Sequence, residues 1–117
     1  MAEVANLDES ETRTFEHGTV QTAKVGSLTV TRGTMQPGWR WSSDVKPIVG
    51  TDSCMVHHTG VAVAGRLHIV MDDGSEIELG PGDAHDIPPG HDAWVVGDEP
   101  YIGIDFSAEM AGFAKPS

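Results

Sequence analysis

The sequence predicts a single closed all-β barrel. Fourteen glycines and seven prolines punctuate only 117 residues, which marks many turns. Between those turns, short runs alternating apolar and polar residues recur about every ten residues, the pattern of a sandwich or closed barrel. No stretch longer than a few residues shows the apolar spacing of a helix. Closure also hides the strand edges that a small β domain must protect.

A chain of 117 residues is the usual size of one domain and buries enough surface to fold without staples. The lone Cys54 forms no internal disulfide. Residues 1–11 are polar and acidic, so neither a signal peptide nor a membrane span is expected there. A reducing, cytoplasmic location fits best. The formal net charge is −11, from eighteen acids against seven bases. That balance repels phosphate backbones and anionic lipid, so neither nucleic acid nor a membrane is an expected partner.

Taken in order, residues 1–11 read as a flexible acidic arm, residues 12–106 as the barrel, and residues 107–117 as a C-terminal tail. Residues 13–25 alternate imperfectly, as an edge strand does; residues 28–35 alternate better and end at the Pro37-Gly38 turn. Residues 39–50 read as a long loop over one end, in which Trp39 and Trp41 either plug the core edge or form a lid. Strands are expected over residues 51–57 and 61–71, with Gly65 bending the second. Asp72-Asp73-Gly74 signals a tight hairpin, because Asp-Gly accepts positive φ. Residues 76–79 alternate cleanly before the Gly80-Pro81-Gly82-Asp83 turn. A short strand then reaches Ile87, Pro88-Pro89-Gly90 turns the chain, and residues 91–96 and 101–106 complete the strands. The tail either forms one helical turn with Met110 and Phe113 facing inward or stays loose.

Gly82, Pro88 and Gly90, spaced by five residues and then one, resemble the opening of the second cupin motif. Pro37-Gly38 ahead of the first motif, and His58 followed after six residues by Gly65, resemble the first motif's second half. The resemblance covers residues 28–106 and implies a double-stranded β-helix, the jelly-roll barrel, often dimeric, with a metal or small molecule inside. A homodimer is expected from the small size and from an exposed edge strand near residues 13–25. Metal-binding members usually show His-x-His, then Glu or Gln after three or four residues, then a distal His. Counting back from Gly65 places the first three positions on Asp52, Cys54 and His58; the distal position, in the second motif, falls on Ala93. His91 lies two residues before Ala93 and faces the same side by alternation.

On one straight strand, Cys54 and His58 would stand about 13 Å apart, too far for one ion. A shared site requires a bend within Met55, Val56 and His57, which the resemblance implies. With it, Cys54, His58 and His91 are the expected metal ligands, with Asp52 and His57 as additional candidates. Sulfur with imidazole nitrogen suits a divalent transition metal (zinc, iron or copper) better than magnesium or calcium. Three protein ligands would leave a position open for chemistry. His85, between two turns near the barrel mouth, is the candidate catalytic acid or base. Without the bend, Cys54 is a small buried hydrophobe and the histidines are core or rim residues. His17 and His68 read as surface or packing residues.

Two functions remain open on these residues. One is a metal-dependent enzyme acting on a small organic molecule in the pocket, of dioxygenase, isomerase, lyase or cyclase type. The other is a non-catalytic small-molecule-binding or sensor barrel without a metal. Small residues at Ala62, Ala64 and Ala93 favour a roomy interior over a merely packed one. No nucleophile elbow is present, and the glycines punctuate strands without forming a phosphate loop.

Overall fold

The computed structural model describes residues 2–116. Its strands are β1 (Glu11–Phe15), β2 (Gly18–Val25), β3 (Leu28–Met35), β4 (His58–Ala64), β5 (Arg66–Met71), β6 (Glu76–Leu79), β7 (Ala84–Ile87), β8 (His91–Val96) and β9 (Tyr101–Asp105). Two helical turns, α1 (Trp41–Asp44) and α2 (Lys46–Val49), lie between β3 and β4. A sheet ordered β1-β2-β3-β9-β4-β7 and a smaller one ordered β6-β5-β8 form the two antiparallel layers of a jelly roll.

The period of two along each strand decides what fills the space between the layers. His91, Ala93 and Val95 of β8 are buried, while Asp92, Trp94 and Val96 are less so. Tyr101 and Asp105 are buried at the two ends of β9, and Gly103 between them leaves room that a Cβ would take from the Tyr101 ring. Trp94 faces outward, stacked on His68 at 4.8 Å with the Arg40 guanidinium over its ring. The largest side chains of the core are aromatic: Phe15, Trp39, Trp41, Tyr101 and Phe113 are all buried. Each such side chain supplies roughly 2–3 kcal/mol of apolar burial.

Several strand boundaries differ from the alternation pattern, each for a local reason. Residues 13–25 are not one edge strand: the chain reverses at Glu16 and His17, where His17 takes φ 61°, and makes the β1–β2 hairpin. Residues 61–71 are likewise two strands, because Gly65 takes φ 73° and passes the chain from the large sheet to the small one. Residues 51–57 form no strand; only Cys54 pairs, in an isolated antiparallel bridge to His91. The long loop contains α1 and α2, and both of its tryptophans are buried, so they plug the core edge.

The acidic segment ahead of β1 makes specific contacts with the barrel and within itself. Leu7–Glu9 form a 3-10 turn capped by the Asn6 side chain, Glu3 accepts a hydrogen bond from the Gly26 amide at 2.8 Å, and Asp8 pairs with Arg32. Beyond β9, Ala108–Gly112 form a 3-10 turn that buries Met110, with Phe113 buried just after it. The Arg13 guanidinium holds this turn by donating to the Phe113 carbonyl at 2.6 Å. Among the described residues, no helix is long and apolar enough to cross a membrane.

Gly65 tests the corner directly. A Cβ there would lie 2.2 Å from the Pro100 carbonyl oxygen, on a backbone that L residues rarely adopt. Gly65→Ala is expected to destabilise the barrel by about 2–4 kcal/mol in denaturant titration. An unchanged midpoint would contradict this account of the corner.

Candidate metal centre

The chain bends where a shared site requires it. Cys54 is held against β8 by its own amide, which donates to the His91 carbonyl at 2.8 Å, and by the Gly90 amide, which donates to the Cys54 carbonyl at 2.8 Å. Residues 55–57 then turn without regular structure, and His58 opens β4. In place of the separation a straight strand would impose, Cys54 Sγ lies 3.7 Å from His58 Nε2. The His91 ring packs 5.2 Å from the His58 ring. One donor atom from each of Cys54, His58 and His91 lies within 4.8 Å of the others.

The unused ring nitrogens are already engaged, which orients the free ones. His58 Nδ1 donates to Asp105 Oδ2 at 2.8 Å, leaving Nε2 toward the thiol. His91 Nδ1 donates to the Pro88 carbonyl at 3.0 Å, leaving its Nε2 as the available donor atom. A carboxylate or carbonyl behind a ligating imidazole is the usual outer support of a metal site. Asp105 is fixed in turn by the Ser107 amide, at 2.7 Å.

The charges follow from this geometry. Burial pushes the Cys54 thiol up, but hydrogen bonds from His58 and His91 outweigh it and bring its pKa down to about 6. Burial pushes His58 down, and its bonds to Asp105 and Cys54 reverse this, raising it to about 9. A thiolate–imidazolium pair backed by a carboxylate results. The donor set fits a divalent transition ion. Tetrahedral zinc bonds of about 2.3 Å to sulfur and 2.0 Å to nitrogen separate neighbouring donors by about 3.5 Å, close to the 3.7 Å observed.

Other candidate residues divide. Asp52 is exposed and stands outside the cluster. His57 projects to the outer face, as its neighbour's inward orientation demands, and pairs with Asp86 at 2.8 Å. Neither additional ligand candidate joins the centre. His85 lines the same cavity as the three donors; burial, foremost, lowers its pKa against the pull of the Asp83 backbone and the Asp105 charge. His17 pairs with Asp44, and His68 packs on Trp94 and pairs with Glu76.

The cavity behind the donors measures about 80 Å³ and is lined by residues of both sheets, among them Met35, Trp39, Leu67, Ile69, Tyr101 and Met110. Asp105 is the residue that reading the sequence missed. Its one signal was parity: it shares the inward side of β9 with Tyr101 and Gly103, and an acid on a buried face needs a partner.

No protein-family model and no curated protein sequence matches the chain. Solved structures do match. A cupin 2 conserved barrel domain protein from Salinispora arenicola superposes with TM-score 0.62 at 19% identity, covering 94% of this chain and 92% of that one. A sugar phosphate isomerase from a cupin superfamily, from Silicibacter pomeroyi, gives TM-score 0.62 at 19% identity over 88% of this chain and 73% of that one. A formate complex of Lactobacillus farciminis oxalate decarboxylase gives 0.61 at 18% identity over 94% of this chain. This chain spans only 32% of that decarboxylase. The fold is that of a small cupin barrel. Within it lies a candidate Cys–His–His site.

The ion pair makes a direct prediction for the metal-free protein. Thiolate ultraviolet absorbance should persist as pH falls and disappear only through about pH 6. Asp105→Asn should move that transition upward, because a less stabilised imidazolium holds the thiolate less well. A wild-type midpoint near 9.0, the ordinary thiol value, would show that the pair does not form.

Proposed function

We propose that the chain is a metal-binding cupin that acts on a small organic molecule held in the barrel. Cys54, His58 and His91 are its ligands and His85 its acid or base. One observation carries this reading: a thiol and two imidazoles from three separate segments converge within 4.8 Å, beside a cavity that both sheets line. Soft sulfur with nitrogen selects zinc, iron or copper. A bound ion of this kind would supply Lewis acidity toward an oxygen atom.

The remaining work falls to the chain's own groups. Asp105 orients His58 and Pro88 orients His91. His85, held below its ordinary pKa, is neutral at neutral pH and ready to accept a proton. Tyr101 is raised by burial and then by the Asp105 and Asp83 charges, so its phenol stays protonated and serves as a donor. Structural neighbours named as an oxalate decarboxylase and a sugar phosphate isomerase support an enzyme on this fold by analogy alone. A metal-free small-molecule-binding or sensor barrel is the alternative, favoured by a cavity that exists independently of any ion.

Metal analysis of protein purified without a histidine tag separates the two. Near-stoichiometric transition metal is expected, with affinity falling at least about tenfold in Cys54→Ala, His58→Ala or His91→Ala and a comparable loss in Asp105→Asn. A folded wild type that takes up no zinc, iron or copper removes the metal and leaves the binding barrel.

The same proposal includes a homodimer and a reducing compartment such as the cytosol, where Cys54 stays a thiol. Strand β1 forms one edge of the large sheet, and an unpaired edge is a natural contact between copies. Light scattering should give twice the mass of one chain; a monomer at all working concentrations would refute the dimer.

A further inference from the structure

The outer face of the large sheet is apolar and nearly free of charge. Gly33, Met35, Tyr101, Gly103 and Asp105 line the cavity, so by strand parity the residues between them look outward. Pairing lays these outward residues in rows across the central strands. Arg32, Ile104 and Val61 make one row, and Thr34, Ile102 and Ala64 the next. Val30 and Phe106 follow beyond the Thr31–Asp105 pair, and the Phe106 amide donates to the Thr59 carbonyl at 2.8 Å. A patch of Val30, Val61, Val63, Ile102, Ile104 and Phe106 results. Val63 stands 51% exposed and Phe106 42%, with the exposed Ala84 of β7 opposite Val61. A patch of this kind on a small domain marks a contact surface.

Charge decides what can cover it. The chain carries eighteen acids and a net charge of −11, so two copies repel wherever their acids meet. The six strands of the large sheet hold only three acids, Glu11, Asp86 and Asp105. Asp105 lines the cavity. Glu11 pairs with Thr22, and Thr22 with the buried Thr31, so it shares the inward parity. Asp86, opposite Thr59 on the border strand β7, has the outward parity and is engaged by His57 and Thr59. Arg32, the cation of outward parity in these strands, is paired with Asp8. The opposite outer face, on the small sheet, instead carries ion pairs of Arg66 with Glu78 and His68 with Glu76. A basic partner would be drawn to the acids elsewhere on the surface. The acid-poor patch is what a like-charged second copy can approach.

The area is adequate. Five strands from β2 to β7, about 4.8 Å apart and about five residues long, give a footprint of about 24 by 17 Å, or about 400 Å² in projection. Pleat and side chains raise the accessible area above its projection, to the order of the roughly 500 Å² per partner that a specific interface needs. Under a two-fold axis one such patch meets itself.

We infer that two copies of this chain pack face to face through the outer side of the large sheet, about a two-fold axis over β4 and β9. This rests on the homodimer proposed above and gives it the sheet face in place of the β1 edge. That edge is five residues long, with Glu11 at its start and Glu16 just beyond its end, so copies joined there would set acids against acids. His58 on β4 and Asp105 on β9 line the cavity on the inner side of the same strands, so the contact lies directly behind the candidate centre.

The test measures self-association of the full chain by sedimentation equilibrium, across concentration and salt. The wild type should dimerise, and rising salt should tighten the dimer by screening like charges that lie outside the contact. Val63→Glu and Phe106→Glu, both at exposed positions, should each raise the dissociation constant at least about tenfold. In mixed dimers of labelled and unlabelled protein, NMR cross-saturation should fall on the methyls of Val61, Val63, Ile102 and Ile104. Cross-saturation on β1 or the small sheet, either folded glutamate variant dimerising as tightly as the wild type, or a dimer loosened by salt would overturn the inference and leave the homodimer standing. A wild type that stays monomeric at all working concentrations would overturn both. Cross-saturation in the wild type decides the matter even where a variant fails to fold.

Discussion

A backbone bridge of three hydrogen bonds positions the candidate centre. The Cys54 amide donates to His91, and the Gly90 and His91 amides donate to Cys54, tying a segment without regular strand structure to the edge of β8. Because strand parity is two, a slip of one residue in this bridge would turn Cys54 outward and bring Ser53 or Met55 in. The bridge also covers backbone at the β8 edge that would otherwise await a partner. Farther along, the Val95 amide donates to the Trp39 carbonyl at 3.1 Å. The segments carrying the thiol and the Trp39 ring are therefore both laid along the same strand, and both residues line one cavity.

The chemistry of the centre depends on that placement because the polar groups are buried together. A buried thiolate or imidazolium alone would be expelled by its desolvation cost. Here each is offset by the next: Cys54 by His58, His58 by Asp105, Asp105 by the Ser107 amide. Such a chain is strong in a low-dielectric interior only while complete. The C-terminal turn helps to complete it. Phe113 stands edge-on to His58 at 6.3 Å and to Phe15 at 5.8 Å, shielding the pair from water. Arg13 on β1 holds that turn through the Phe113 carbonyl, so a residue at the edge of the large sheet contributes to the dryness of the site.

How much of this was legible depends on which force set each feature. The strands of residues 28–35, 76–79 and 91–96 were readable to the residue because burial on one face writes a period of two into the chain. The reversal at His17 was not, since a histidine at positive φ carries no turn signature of its own. Gly65 was legible as a bend but not as a change of sheet: glycine announces conformational freedom and not direction. The approach of Cys54 to His58 could be stated only as a requirement, because Met55, Val56 and His57 contain no residue that demands a bend. What makes them bend lies far away in sequence, in the pairing of Cys54 with His91. Asp105 escaped notice for a similar reason, as its partner His58 is brought to it by sheet order alone.

The exterior and the interior of the barrel act on ligands in the same sense. A net charge of −11 surrounds the protein with a field that raises the local concentration of divalent cations and lowers that of anions. The lining repeats the preference at short range, with Asp105 and the Cys54 sulfur on one side and hydrocarbon on the other. Glu109 and Cys54 both line an outer groove. A carboxylate or phosphate would meet repulsion outside and a largely apolar lining within. Lys115 is the exception, a cation at that groove, whose walls also include the buried Trp41 and Phe113 rings. Field and lining therefore act in the same sense, favouring a cation over an anion at the three donors.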